Sequence, residues 1–251
     1  MRFEIGAELY DAVAEVTGRD AAREAARVRA AWQFALPGCR PRLLDVACGT
    51  GLHLMHFREH ADVCGADHSG SMLSVAARRL PGVPLHEQSM EHLELDAEFD
   101  VITCLLSGIA YPLGEVRLHR ALRRMRRHLA PGGVVIVEPG PAPDSVARID
   151  PEPLLFEMAG LLIERRTRFS VHGSELVLHH EFRMSAGARR TTLHELHEIT
   201  LRDLHAHREA MERAGFDTRL MRASDGLPAL LIGRPIGDET PLPVPASVDR
   251  D

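Results

Sequence analysis

The sequence predicts an α/β fold, a mostly parallel sheet with helices on both faces, into which a small antiparallel sheet is inserted. The apolar stretch 43–46 has the composition of a buried parallel strand and leads into a turn that contains Gly49 and Gly51, after which a helix begins. Strand-like and helix-like segments then alternate as far as Glu138, as they do in parallel sheets. Three consecutive segments with strand periodicity follow within 162–201 and predict the antiparallel insert.

The remaining elements follow from apolar spacing and from turn residues. Before the first strand, segments 7–16 and 20–34 have helical spacing, Gly18 separates them, and Asp20 is placed to cap the second helix. The main sheet is predicted to contain strands at 43–46, 61–67, 83–86, 98–107 and 134–138, with helices at 51–60, 70–80 and 114–129. The insert is predicted as strands 162–169, 175–184 and 191–201, followed by a helix at 202–214 and strands near 216–221 and 229–233.

These elements divide the chain into three parts. Residues 1–160 and 202–234 form the main domain, 161–201 form the insert, and the proline-rich tail 235–251 is expected to be disordered.

Composition excludes several classes of protein. The 251 residues are 45% hydrophobic and have a formal net charge of −6, which allows one substantial core and disfavours nucleic acid or an acidic membrane as the main partner. The four cysteines are scattered and include no CxxC pair, so we expect reduced thiols in a cytoplasmic protein. Neither a signal peptide nor a membrane span is recognisable, and we expect a soluble protein.

The glycine turn and nearby acidic residues indicate the ligand. A dinucleotide fingerprint would have a third glycine where this chain has Leu54, so an NAD-linked oxidoreductase is disfavoured. The text Asp45-Val46-Ala47-Cys48-Gly49-Thr50-Gly51, with Asp67 ending the next strand, resembles motifs I and II of class I S-adenosylmethionine (SAM) methyltransferases, which have a Rossmann-like sheet. SAM contains no phosphate, so polar backbone groups and carboxylates suit it better than an anion-binding loop does.

This resemblance implies a set of SAM-binding residues. Asp67 would accept hydrogen bonds from both ribose hydroxyls, and Met72 would contact the adenine. Ser89 stands where the family usually has an acidic residue that accepts from the adenine amino group, and Met90 would contact the ring through its amide. Tyr10 matches a tyrosine that touches the SAM carboxylate, with a core aromatic residue as the equal alternative. The full set is Tyr10, Asp45, Ala47, Gly49, Gly51, Asp67, His68, Met72, Ser89, Met90 and Cys104.

Further motifs resemble one subfamily, the N,N-dimethyltransferases that finish dTDP-amino sugars of macrolide antibiotics. These motifs are Ile102-Thr103-Cys104, the stretch 135–139, the stretch 194–200 and Gly233-Arg234-Pro235. The resemblance implies a homodimer in which the inserted sheet covers the sugar nucleotide. The chain departs from the subfamily where Tyr111 replaces a histidine, where Ala21 and Gly140-Pro141 replace aromatic residues, and near 225–228, where the phosphate-contacting arginine has no counterpart.

The predicted function is methyl transfer from SAM to a small-molecule acceptor in natural-product metabolism, because a shared scaffold does not by itself carry over a substrate. A dTDP-amino-sugar N,N-dimethyltransferase is the alternative within the family. A non-catalytic SAM-binding regulatory or scaffold subunit is the alternative of another class.

Acceptor-side residues are expected beyond the carboxyl ends of the strands, where ligands of open α/β sheets bind. Tyr111 is the first candidate for a catalytic role because its hydroxyl can orient the acceptor, and Glu138 is the second, with helix capping or an ion pair as its structural alternative. The residues predicted to contact the substrate are Phe3, Ser107, His180 and His194.

The histidines of the insert raise the question of a metal site. His179 and His180 alternate faces, as do His194 and His197, so neither strand presents two histidine ligands on one face. No metal is therefore expected, although a cross-strand pair of His180 and His194 stays open.

Overall fold

The computed structural model describes residues 6–38, 40–149, 152–224, 226–238 and 248–249. Its α-helices are α1 (Gly6–Val16), α2 (Ala21–Ala35), α3 (Leu52–Phe57), α4 (Gly70–Arg79), α5 (Gly114–Arg127) and α6 (Leu204–Arg213). Its strands are β1 (Arg42–Val46), β2 (Asp62–Asp67), β3 (Leu85–Glu87), β4 (Phe99–Cys104), β5 (Leu129–Val137), β6 (Leu154–Met158), β7 (Leu161–His172), β8 (Glu175–Ala186), β9 (Arg189–Thr200), β10 (Phe216–Met221), β11 (Leu230–Pro235) and β12 (Val248–Asp249).

The main sheet has the strand order β12-β10-β11-β5-β4-β1-β2-β3. Strands β1 to β5 pair in parallel, whereas β11 is antiparallel to both β5 and β10. The chain leaves β1 towards β2 and β3 and then returns to β4 on the other side of β1. This reversal creates a switch point at the carboxyl ends of β1 and β4, where open α/β sheets bind their ligands.

Helices cover both faces of the main sheet, as predicted. On one face, Leu118 and Met125 of α5 and Met211 of α6 belong to a buried cluster with the sheet. On the other face, Trp32 of α2 meets Phe57 of α3 edge to face, with ring centroids 5.1 Å apart. Asp20 caps α2 by accepting from an amide at the start of the helix, as its sequence position indicates.

The insert is a four-stranded antiparallel sheet of order β6-β7-β8-β9. The three predicted strands are present as β7, β8 and β9, whereas β6 was not predicted. β6 pairs with β7 through a two-residue turn, Ala159-Gly160, whose φ angles of 50° and 76° are those of a tight hairpin. Alanine is uncommon at such a position, so the turn was not recognised from the sequence.

Helix α1 joins the insert to the main sheet. Leu9 is completely buried and packs in one cluster with Phe156, Ile163 and Phe182 of the insert. Asp11, two residues later, accepts a hydrogen bond of 2.6 Å from the Thr50 hydroxyl in the glycine turn. Helix α1 therefore holds the insert over the carboxyl edge of the main sheet, because it buries Leu9 against the insert and contacts the glycine turn through Asp11.

Two smaller differences concern β5 and the tail. β5 begins at Leu129 and continues through Pro131-Gly132-Gly133, because an irregularity in its pairing with β4 accommodates the extra residues. Most of the tail predicted to be disordered lies outside the described residues; Pro235 ends β11, and β12 pairs with β10.

The last features of the fold are the cysteines and the length and polarity of the helices. Cys48, Cys64 and Cys104 are free and buried, as expected, whereas Cys39 lies outside the described residues. None of the helices in the described ranges is long and apolar enough to cross a membrane.

Candidate functional site

Two adjoining cavities lie at the carboxyl edge of the main sheet. The loop cavity is formed by the turns after β1, β2 and β4, and its walls include Ala47, Cys48, Gly49, Asp67, His68, Ser69, Met72, Met90, Leu105 and Gly108. The sheet cavity, of about 300 Å³, lies under the insert, and its walls include Arg19, Ser107, Pro141, Arg165, Leu178, His180, Phe182, Glu195 and Ile199. Tyr10, Leu106, Tyr111 and His197 belong to both cavities.

The turn after β1 has positive φ at three positions: 59° at Ala47, 53° at Gly49 and 77° at Gly51. A Cβ on Gly49 would point into open space, so this glycine leaves its backbone accessible from the loop cavity. A Cβ on Gly51 would lie 2.8 Å from Leu80 Cδ1. Gly51 therefore allows close packing of α3 and α4 and does not form part of the cavity wall, contrary to its predicted role.

Asp67 is fixed at the end of β2 by two backbone donors. One carboxylate oxygen accepts from the Gly49 amide at 2.8 Å, and the other accepts from the Ser69 amide at 2.9 Å. Each oxygen keeps a second lone pair, and the side chain lines the loop cavity. Asp67 is thus oriented to accept from two neighbouring hydroxyls of a ligand.

Asp45 lies beneath the cavity and is 2% exposed. The Thr103 hydroxyl donates to its carboxylate at 2.7 Å, and burial is the main reason that the pKa of Asp45 rises to about 6. This side chain therefore links β1 to β4, whereas the resemblance implied a direct contact with the cofactor.

Five further residues of the predicted cofactor set are divided between the wall of the loop cavity and positions outside it. Met72, Met90 and His68 line the loop cavity. Ser89 interacts with its own neighbour His92, whose Nδ1 lies 3.0 Å from the hydroxyl oxygen, and Cys104 is completely buried. Neither Ser89 nor Cys104 is in the described cavity wall; the sequence interpretation missed Cys48, which is.

These residues fit SAM. An inward carboxylate at Asp67 disfavours a phosphate-bearing ligand and favours ribose hydroxyls. The methionine and leucine side chains provide an apolar wall of the kind that an adenine ring requires.

The connection after β4 is strained and separates the two cavities. Leu106 and Ser107 have φ angles of 53° and 57°, although neither is glycine. Glu138 accepts a hydrogen bond of 3.1 Å from the Leu106 amide, and the Ser107 hydroxyl donates to the Pro139 carbonyl at 3.4 Å. Burial raises the pKa of Glu138, and its side chain lines neither cavity. The structure therefore gives Glu138 a role in holding this connection, in place of the predicted catalytic contact.

Two tyrosines lie where the cavities meet. Tyr10 comes from α1, and desolvation by burial is the main reason that its pKa is raised. Tyr111 comes from the turn after β4 and is 38% exposed towards the cavities. Its hydroxyl lies 2.9 Å from Nδ1 of His197 on β9, which joins the main sheet to the insert.

The register of the insert decides which histidines face the sheet cavity. His180 is opposite Glu195, and its ring lies 5.2 Å from the ring of His197. His194 stacks on His179 on the other face, with ring centroids 5.2 Å apart. The register therefore excludes the cross-strand pair of His180 and His194 that the sequence had left open, and His194 does not face the sheet cavity as predicted. His180 and Ser107 line the sheet cavity, whereas Phe3 lies outside the described residues.

The sheet cavity also contains charged groups that the sequence interpretation missed. Among the described residues, Arg165 Nε and Glu195 Oε1 are buried without a hydrogen-bond partner. Burial lowers the pKa of the Arg165 guanidinium, and Glu195 opposes this effect. The alternation of Glu195, His197 and Ile199 along β9 was the available signal, because every second residue of a strand faces the same side.

Comparisons with known sequences agree with this geometry. A family model described as a methyltransferase domain matches residues 43–133. The dTDP-3-amino-3,6-dideoxy-alpha-D-glucopyranose N,N-dimethyltransferase of Streptomyces fradiae is 34% identical over 231 residues, which cover 91% of this chain and 90% of that protein. The dTDP-4-amino-2,3,4,6-tetradeoxy-D-glucose N,N-dimethyltransferase of Saccharopolyspora spinosa is 47% identical over 139 residues. That match spans about half of either protein, 55% of each.

Solved structures show the same architecture. DesVI of Streptomyces venezuelae has a TM-score of 0.82 and 28% identity, over 92% of this chain and 98% of that one. SAM-bound CalS10, an amino pentose methyltransferase from Micromonospora echinaspora, has a TM-score of 0.78 and 28% identity, over 90% of this chain and 95% of that one.

Proposed function

The chain belongs to the SAM-dependent methyltransferase family that includes the dTDP-amino-sugar N,N-dimethyltransferases, and from this premise we propose that it methylates the amino nitrogen of a dTDP-activated amino sugar in natural-product metabolism. The observation that carries the proposal is the junction of the two cavities at Tyr10, Leu106, Tyr111 and His197. A cofactor in one cavity and an acceptor in the other would meet at these residues.

The loop cavity would hold SAM, which supplies an electrophilic methyl group. Asp67 would accept from the ribose hydroxyls, and Met72 and Met90 would enclose the adenine. The strained connection at Leu106 and Ser107, fixed by Glu138, keeps the wall between the cavities in one conformation. The contribution of these residues is positional, because displacement at a methyl group depends mainly on holding the reactants in line in a water-poor site.

The sheet cavity would hold the acceptor. Its walls combine apolar side chains such as Leu178 and Phe182 with the cation of Arg165. The buried Arg165 Nε has no hydrogen-bond partner among the described residues, and an arginine remains charged at neutral pH, so an anionic group of the ligand would satisfy it. The diphosphate of a nucleotide sugar is such a group. Arg165 would thereby replace the phosphate-contacting arginine that the sequence lacks near 225–228.

The test is product analysis with deuteromethyl-labelled SAM. The full chain is incubated with dTDP-3-amino and dTDP-4-amino sugars beside a panel of amine, phenol and enol metabolites, and products are identified by mass spectrometry. Two labelled methyl groups on one amino sugar support the proposal. Label only on another acceptor, or none on the sugars while S-adenosylhomocysteine still binds, refutes the amino-sugar substrate.

The domain organisation belongs to the same proposal. The insert, which begins with β6, would cover the acceptor, because β7, β8 and β9 contribute residues to the sheet cavity.

We also propose a homodimer in the cytoplasm. Its support is that Leu155 and Leu162 are 65% and 49% exposed on the outer face of the insert. Light scattering after size exclusion tests the dimer, and a monomeric mass contradicts it; fractionation of cells tests the location, and recovery outside the cytoplasmic fraction contradicts it.

A further inference from the structure

A chain of polar groups crosses from the cavity junction into the insert. The Tyr111 hydroxyl lies 2.9 Å from His197 Nδ1, and His197 Nε2 lies 3.6 Å from a carboxylate oxygen of Glu195. Tyr111 follows β4 of the main sheet, whereas His197 and Glu195 are on β9. The chain therefore begins beside the place where the acceptor and the cofactor would meet and ends at an enclosed carboxylate.

The direction of the hydrogen bond between Tyr111 and His197 depends on the tautomer of the histidine. Desolvation by burial is the main reason that the pKa of Tyr111 is raised, and the negative charges of Asp67 and Glu195 act in the same direction. The tyrosine therefore keeps its proton at neutral pH, and it donates to His197 Nδ1 in the tautomer that has no proton on that nitrogen. A neutral His197 that accepts at Nδ1 has its own proton on Nε2, the atom nearest to Glu195.

Glu195 is arranged to stabilise a positive charge on His197. Its side chain is 13% exposed, and its Oε1 is buried with no hydrogen-bond partner among the described residues. A carboxylate in such surroundings is poorly solvated, so a proton arriving on the neighbouring imidazole would be favoured by a nearby opposite charge.

We propose that Tyr111, His197 and Glu195 form a proton path that deprotonates an ammonium acceptor before methyl transfer. This inference rests on the proposed function and deepens it by assigning the residues that take up the proton of the amine. An N–H bond of the ammonium group breaks and its proton moves to the Tyr111 oxygen, while the tyrosine proton moves to His197 Nδ1. The nitrogen keeps the electron pair with which it attacks the methyl group, and His197 becomes an imidazolium beside Glu195. The proton then leaves to water, and the path is reset for the next transfer.

The other groups around His197 leave this assignment intact. His180 cannot serve as the proton acceptor near neutral pH, because burial and the neighbouring His197 and Arg165 lower its pKa to about 3. Arg165 and Arg19 place positive charge in the wall of the sheet cavity.

On the cofactor side, the other titratable groups in the wall of the loop cavity are Asp67, His68, Tyr10 and Cys48. A carboxylate oxygen of Glu195 lies 3.6 Å from Nε2 of the imidazole.

The test compares pH profiles of kcat/KM for the full chain and for Tyr111→Phe, His197→Gln and Glu195→Gln, with a dTDP-amino sugar as the acceptor. Below the pKa of the amine, we expect Tyr111→Phe and His197→Gln to lose about 100-fold, the usual size of a proton-transfer contribution. Above that pKa the amine is already neutral, so the deficit should shrink to a few-fold. The matched control is His179→Gln, on the opposite face of the adjacent strand, whose profile should follow that of the unmodified chain.

The outcomes separate the two proposals. A deficit that is the same at every pH, or none at all, overturns the proton path even though the sugar is methylated. If the unmodified chain methylates another amine, the amino-sugar proposal fails and the same profiles are measured on that amine. Methylation of phenols or enols alone overturns both. Binding of S-adenosylhomocysteine by each variant shows that the loop cavity is intact.

Discussion

Replacement of Asp67 by asparagine should weaken cofactor binding while leaving the fold in place. The carboxylate now accepts from the Gly49 and Ser69 amides and has a lone pair left on each oxygen for the ribose. Asparagine has one acceptor oxygen, and its amide group would face a backbone donor. Loss of a charged hydrogen bond costs about 2–3 kcal/mol, which corresponds to a dissociation constant about 30- to 150-fold higher.

The assay is calorimetric titration with S-adenosylhomocysteine. The control is Asp62→Asn at the other end of the same strand, where the side chain is 68% exposed and pairs with Arg40. Because exposed ion pairs contribute little, this control should bind within about threefold of the unmodified chain. If Asp67→Asn also binds within threefold while remaining folded, the assignment of this carboxylate to the ribose is refuted.

Three further predictions concern the acceptor side, the support of the strained connection and the buried histidine. Arg165→Met should raise KM for a dTDP-amino sugar by about 10- to 100-fold with a smaller change in kcat, because a charged contact is lost; Arg166→Met, on the opposite face of β7, is the control, and equal effects in steady-state kinetics would contradict the assignment. Glu138→Gln should lower kcat/KM by less than tenfold, since the amide oxygen can still accept from Leu106; a loss of about 100-fold or more would indicate proton transfer instead. Burial lowers the pKa of His207 from 6.5 to about 4. The unfolded chain therefore takes up this proton first as pH falls from 6.5 towards 4, and the free energy of unfolding should decrease by up to about 1.4 kcal/mol per pH unit. Denaturant titrations of His207→Gln should show a weaker pH dependence of the free energy of unfolding. An unchanged pH dependence would contradict the assignment of this effect to His207.

The order of helices and strands was largely readable from the sequence because it depends on local patterns. Apolar runs predicted the buried parallel strands, and Asp20 predicted the start of α2. The errors in the predicted strands have local causes as well. β6 was hidden because its turn uses Ala159, and the start of β5 was hidden because the strand passes through Gly132-Gly133, residues that usually mark a boundary.

The cofactor side of the site was more readable than the acceptor side. Asp67, Met72 and Met90 line the loop cavity because they follow single strands or begin single helices, so their places depend on short stretches of chain. Predicted cofactor residues such as Asp45, Ser89 and Cys104 lie close to the cavity in sequence but below or outside its wall. Adjacent residues of a strand face opposite sides, so a side chain one position along the chain lies in the core instead of in the cavity wall. The sequence motif does not show which side each residue faces.

The sequence by itself therefore determined the α/β class, the glycine turn and several residues in the wall of the loop cavity, because those features depend on residues adjacent in the chain. Only the tertiary structure decided the acceptor side. Arg165, His197 and Glu195 come from two strands of the insert, and Tyr111 comes from the main sheet. The cross-strand register and the packing of Leu9 bring these groups together, and neither depends on local sequence alone.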